Sequence, residues 1–175
     1  MEIVVDNQIY LSQVNKEDVN QLCLHLSDKE IYDNTLMIPY PYTTKDAEWW
    51  VLFVEENKFS NGRLTNWAIR DRSSMLIGSF GFHLKYGINS HRDEIGYWLA
   101  KPYWNKGIMT RVVKKMCQFG FDEFNLTRIE AVVFESNLPS CKVLEKAGFN
   151  YEGLLKKYIL KNSKYIDGKI FAITN

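Results

Sequence analysis

No stretch of this chain approaches the roughly 18–20 consecutive apolar residues of a membrane span. Its charge leans to neither sign, with 22 Lys and Arg against 21 Asp and Glu. The first absence leaves no candidate for a membrane-spanning helix. The second removes the global field by which a basic chain holds nucleic acid or an anionic membrane, so neither is an expected partner. Cysteine is scarce: Cys23, Cys117 and Cys141 are odd in number and far apart. That spacing gives neither a disulfide framework nor a zinc site, so no metal is expected and a reducing compartment is the natural setting. The start, Met-Glu-Ile-Val-Val-Asp, reads as an acidic strand opening and not as a signal peptide, which predicts a cytoplasmic protein. Low-complexity tracts, internal repeats and Pro/Gly/Ser linkers are all missing.

What is present suits one folded domain over residues 1–175, since domains commonly run about 100–200 residues. Hydrophobic residues make up 46% and charged residues 25%, enough for a packed core. Ile3-Val-Val and Gln8–Leu11 predict an opening strand. Asn15 then caps a helix bearing Val19, Leu22, Cys23 and Leu26 at helical spacing. Two of the four prolines fall in Pro39-Tyr-Pro-Tyr42, which must be a stiff loop. Thr44 is expected to cap a second helix through Ala47, Trp50, Val51 and Val54, turning near Asn61-Gly62. Asn66–Arg70, Leu76–Leu84 and Asp93–Ala100 read as an antiparallel meander. Asn105–Phe124 predicts a helix with Ile108, Val112, Val113, Met116 and Phe119 on one stripe. Arg128–Phe134 is a further strand, and Pro139–Ala147 a short helix ending at Gly148. Two last strands, Tyr151–Leu160 and Ile166–Ile173, turn near Asn162-Ser163. The class is α+β: a mixed, mostly antiparallel central sheet with flanking helices and one parallel β-α-β crossover between Glu94 and Phe134.

The most telling stretch is Glu94-Ile-Gly-Tyr-Trp-Leu-Ala-Lys-Pro-Tyr-Trp-Asn-Lys-Gly-Ile-Met-Thr110. A strand stops at Lys101-Pro102, crosses a polar turn and opens into an amphipathic helix. Such a turn offers an anion the unpaired N–H groups and the positive dipole end of a helix. It is not a P-loop, since the Gly-Lys-Ser/Thr order is missing. It is not a dinucleotide fingerprint either, since only one glycine is present.

Together with Asn137-Leu-Pro-Ser140 and Glu145-Lys-Ala-Gly-Phe149, this stretch resembles the GNAT acetyltransferase superfamily. The branch it resembles most is that of the ribosomal-protein N-terminal acetyltransferases, and the likeness runs from about Leu11 to Ile173. The resemblance implies an acetyl-CoA-dependent N-acetyltransferase with acetyl-CoA as co-substrate and an amine acceptor. Its phosphate loop falls on Trp104–Met109, so amides of Asn105, Lys106, Gly107, Ile108, Met109 and Thr110 would hold the pyrophosphate of coenzyme A. Trp104 stands where Arg or Gln is usual, and Asn105 where Gly is common, though Asn tolerates left-handed angles better than most residues. Pantetheine would run along Tyr97, Trp98 and Leu99, with Asn137 bonding its arm.

Amine acylation needs a neutral amine, a stabilised oxyanion and a proton for the departing thiolate. Glu94 is close to where several relatives keep a general base. Glu130 is a competing carboxylate that also suits a salt bridge, and His83 is a third candidate. Many relatives protonate the thiolate with a Tyr seven residues after the motif Asn; here that position is Leu144. Ser140 matches the serine given that role in the ribosomal-protein branch, and equally suits a helix-start serine bonded to its own backbone. Cys141 reads as packing. Tyr40 and Tyr42 would border the acceptor end, while Trp50 suits the core and Trp49 the surface. A catalytically silent acyl-CoA-binding regulatory domain is the alternative from another class, and a nucleotide-binding module a weaker one. The identity of the amine and the choice between monomer and homodimer stay open.

Overall fold

The computed structural model describes residues 2–83 and 87–175, with the side chains of 58–61 and 87 left aside. The chain divides into two compact units, one of residues 1–82 and 97–106, the other of 83–96 and 107–175. The fold is α+β: antiparallel ladders occur in both units, and the single parallel pair among the described residues lies in the second.

In the first unit, β1 (Ile3–Val4), β2 (Tyr10–Gln13), β3 (Asn66–Arg70) and β4 (Leu76–Phe82) form an antiparallel meander. The expected opening strand is therefore a hairpin. The strand predicted over 76–84 ends at Phe82, and Leu84 lies outside the described residues. Asn15 accepts from the Glu17 N–H within a capping box, and α1 (Val19–Leu26) follows. A short helix that the sequence pattern did not reveal, α2 (Lys29–Asp33), is capped by Asp28 and buries only Ile31. The cap of α3 (Thr44–Asn61) is Thr43, one residue earlier than expected, because Thr43 and Asp46 form a reciprocal capping box. The helices lay Leu22, Leu26, Ile31, Val51 and Val54 onto Val14, Ala68 and Leu76 of the meander side. Arg70, buried beneath, grips Asp18 through Nη1–Oδ1 at 2.7 Å and Nη2–Oδ2 at 2.8 Å and donates from Nε to Ser12. A guanidinium so paired is tolerated in a core where an unpaired one is not.

The strand β5 (Arg92–Leu99) gives its first residues to the second unit and its last three to the first. In the second unit β5 pairs in parallel with β6 (Arg128–Phe134) over Arg92↔Arg128, Asp93↔Ile129 and Glu94↔Glu130. The intervening helix α4 (Ile108–Phe124) buries Ile108, Met109, Val112, Val113, Met116 and Cys117 on one stripe. It starts three residues later than predicted, because Asn105 (φ 60°) and Gly107 (φ 69°) are left-handed and cannot be helix interior. The next helix, α5 (Leu138–Ala147), ends at Gly148 with φ 103°. The long hairpin of β7 (Asn150–Lys161) and β8 (Lys164–Thr174) closes through Asn162-Ser163, both at positive φ, the backbone of a type I′ turn. The β8 strand pairs antiparallel along all of β6.

Candidate active site

The end of β5 is fixed before the turn begins. Tyr103 and Trp104 N–H groups bond back to Ala100 and Lys101 carbonyls in a 3₁₀ turn, and the Trp104 indole donates to the Leu99 carbonyl at 2.6 Å. The indole also packs on the apolar cluster of the first unit, a structural use for the residue that replaces the usual Arg or Gln. Tyr97 and Trp98 are half-buried and Leu99 is buried. Lys106 is exposed, with its Nζ 5.5 Å from the Tyr103 ring centroid.

The second unit resumes at Gly107. Its φ of 69° is comfortable for glycine alone, and a side chain there would also meet the Arg111 guanidinium at 3.4 Å. No side chain caps α4, and its first intrahelical donor is the Arg111 N–H, bonded to the Gly107 carbonyl at 3.2 Å. The N–H groups of Ile108, Met109 and Thr110 therefore open the helix without an intrahelical acceptor. Backbone donors, the dipole and a guanidinium all favour an anion at this end.

At the start of α5, Asn137 Oδ1 accepts from the Ser140 N–H at 3.2 Å, and the Cys141 N–H returns to the Asn137 carbonyl. Asn137 is thus the cap, and its amide NH2 is the end that can donate outward. Ser140 is half-buried in the first turn. Leu144 is fully buried, and Cys141 is a core thiol whose pKa burial raises.

One face of the second unit's strands carries a row of ionisable groups. The His83 N–H donates to the Glu94 carbonyl at 3.0 Å, which sets the two residues opposite each other, while Glu130 is the registered partner of Glu94 on β6. Arg92 Nη1 lies 3.1 Å from Glu130, Arg128 Nε lies 2.7 Å from it, and Arg128 also pairs with Glu152. Burial pushes the Glu130 carboxyl up, but the bonds and charges of Arg128 and Arg92 outweigh it and hold the group below the ordinary carboxylate range. Glu130 is therefore a clamped structural ion. Its partner Arg128 was legible two residues away on the same strand face, whereas Arg92 was hidden by a separation of 38 residues.

On the acceptor side the expected tyrosines separate. Tyr40 is 47% exposed with its ring tilted against that of Tyr32, whereas Tyr42 is 9% exposed inside the apolar cluster, where burial raises its phenol pKa. Tyr42 stands in the core because it follows the proline loop directly into α3. Trp49 is exposed against Phe53, and Trp50 is half-buried.

The acetyltransferase (GNAT) domain family matches residues 8–150. The chain belongs to the GNAT acetyltransferase family. It is 30% identical over 174 residues to the uncharacterized N-acetyltransferase p20 of Bacillus licheniformis, covering 99% of this chain and 96% of that one. It is also 25% identical over 171 residues to the L-amino acid N-acetyltransferase AaaT of Escherichia coli K12, over 95% of this chain and 98% of that one. A solved ribosomal-protein-S5-alanine acetyltransferase from Vibrio fischeri shares the fold with a TM-score of 0.85 at 23% identity, covering 100% and 97%. As a GNAT acetyltransferase, the protein takes acetyl-CoA as its acyl donor. Among the described residues no helix is long and apolar enough to cross a membrane.

Proposed function

We propose that this protein transfers the acetyl group of acetyl-CoA to a primary amine by direct attack within a ternary complex. The observation that carries the proposal is the start of α4, where a left-handed glycine leads into a helix that no side chain caps. Amides of Asn105, Lys106, Gly107, Ile108, Met109 and Thr110 hold the pyrophosphate, aided by the Lys106 charge. Tyr97, Trp98 and Leu99 run beside the pantetheine, and the Asn137 amide donates to it.

Glu94 takes the proton from the acceptor ammonium, directly or through water. The neutral nitrogen then bonds to the thioester carbonyl carbon, the carbon–sulfur bond breaks, the Ser140 hydroxyl gives its proton to the departing thiolate, and the surplus proton on the acylated nitrogen passes back to the serine oxygen. Supporting Glu94 over Glu130 is the double guanidinium clamp on Glu130, which makes that carboxylate a poor proton acceptor. Supporting Ser140 is its half-buried place in the first turn of α5, where its N–H is held by the Asn137 side chain. Tyr40 borders the acceptor end, with Tyr42 anchoring its loop in the core. The acceptor is a protein or peptide N-terminus or a small amine; the AaaT relative makes L-amino acids the first amines to try.

The test is thiol release from acetyl-CoA in the presence of L-amino acids and of short peptides beginning with Ala, Ser or Met. Release that depends on an added amine supports the transferase. Tight acetyl-CoA binding with no amine-dependent release from any of them favours the silent acyl-CoA-binding domain instead.

A further inference from the structure

His83, one residue past the end of β4, donates its N–H to the Glu94 carbonyl at 3.0 Å, and residues opposed in this way carry their Cβ atoms on one face about 5 Å apart. The ring leans diagonally onto Gly96, two residues along β5 on that same face. A Cβ at position 96 would lie 3.2 Å from His83 Nε2 and 3.9 Å from Cε1, so the imidazole lies directly over this glycine and a side chain there would displace it by a few tenths of an ångström. The imidazole is also exposed to solvent.

Across the other flank of Glu94 stands Glu130. The charged groups sharing this face among the described residues are Arg92 on β5, Arg128 and Glu130 on β6, and Glu152 on β7. Two ionisable groups of the described residues thus flank Glu94 on neighbouring strands. Glu130 is held as a carboxylate by two guanidiniums and is a poor acceptor. An imidazole is the side chain that readily gains and loses a proton near neutral pH.

We propose that His83 relays to solvent the proton that Glu94 takes from the acceptor, so that the reaction uses a carboxylate–imidazole pair. This rests on the assignment of Glu94 as the base. The N–H bond of the ammonium breaks and an O–H bond forms on Glu94. That proton then passes to an imidazole nitrogen and from there to bulk water or buffer, leaving Glu94 ionised for the next turnover. His83 acts through Glu94 and touches neither substrate.

The experiment is steady-state kinetics with acetyl-CoA and whichever amine of the L-amino acid and peptide panel gives the fastest thiol release. The variants are His83→Gln, Glu94→Gln and the double variant. The relay predicts that His83→Gln lowers kcat about tenfold near pH 6.5, less than the hundredfold or more expected when a primary base is removed. The KM for acetyl-CoA and the melting temperature stay unchanged, and added imidazole buffer restores the lost rate. The double variant is no slower than Glu94→Gln alone, because a relay has nothing to pass on without its base. An unchanged kcat and pH profile in His83→Gln, with Glu94→Gln impaired, overturns the relay and leaves the base assignment standing. Equal losses in the two single variants that multiply in the double also overturn it. Wild-type activity in Glu94→Gln, or no amine-dependent release by the wild type, overturns the underlying assignment itself.

Discussion

The helices α3 and α4 begin in opposite ways. At the start of α3, Thr43 and Asp46 exchange bonds with each other's backbone, so the chain itself satisfies the first donors. At the start of α4, a left-handed glycine stands where such a residue would be, and no side chain turns back to the amides. The other helices led by a cap follow α3: Asp28 serves α2 and Asn137 serves α5. A side-chain cap costs nothing in sequence and stabilises a protein by about 1 kcal/mol. The helix α1 also starts without a side-chain cap, but it continues directly from the capped turn at Asn15; the start of α4 has no such turn before it, and it is there that the coenzyme is proposed to bind.

The largest expected effect comes from giving α4 a carboxylate of its own. Gly107→Asp puts negative charge where the pyrophosphate is proposed to sit and a side chain on a left-handed backbone. Acetyl-CoA binding should weaken by about a hundredfold or more, about 2.7 kcal/mol by calorimetry. Next is α5, whose start is already capped. There Ser140→Ala should lower kcat about tenfold through loss of a proton donor, with coenzyme A affinity unchanged. Equal turnover in that variant would remove the serine from the chemistry.

A smaller effect is expected at α3, and of another kind. Thr43→Ala should lower stability by about 1 kcal/mol in urea unfolding while leaving acetyl-CoA affinity untouched. The cap also carries a pH signature. Bonds from the Thr43 side chain, then from its backbone, hold the Asp46 carboxyl below its ordinary range. A depressed folded value stabilises above the unfolded one and is lost as pH falls through it. Protection of the first-turn amides of α3, taken relative to the intrinsic exchange rate, should therefore fall as pH drops into the acid range, and Thr43→Ala, which keeps the backbone bond to Asp46, should shrink that fall without removing it. The smallest effect is expected at Asn105. Its φ of 60° is one that glycine adopts at no steric cost, so Asn105→Gly should change stability by only a few tenths of a kcal/mol and leave binding intact.

Much of this contrast was legible in the sequence, and its limits have physical causes. Asn15 and Gly148 were readable because a cap and a left-handed stop depend only on residues a turn away. Thr43 was mistaken for Thr44 since both are good caps, and only the Asp46 carboxylate, three residues beyond Thr43, decides between them. Helix α2 escaped because a five-residue helix with one buried side chain has no periodicity to detect. Extending α4 back to Asn105 ran against the left-handed tendency of Asn noted for the same turn, and the backbone follows that tendency. The grip of Arg92 on Glu130 and the backbone bond of His83 to Glu94 depend on strand pairing, which joins residues 38 and 11 apart in sequence. Tyr40 and Tyr42 have the same composition around them, and only the packing of α3 against α1 buries one and leaves the other outside.

The claim that α4 opens onto the coenzyme is tested most directly by calorimetric titration of the wild type and of Gly107→Asp with acetyl-CoA, coenzyme A and ATP in turn. The predicted result is micromolar binding of acetyl-CoA and coenzyme A to the wild type, no heat from ATP, and loss of both coenzyme signals in the variant. Equal binding by the two proteins, or no coenzyme binding by either, would contradict it and reduce the turn at residues 105–110 to an ordinary helix start.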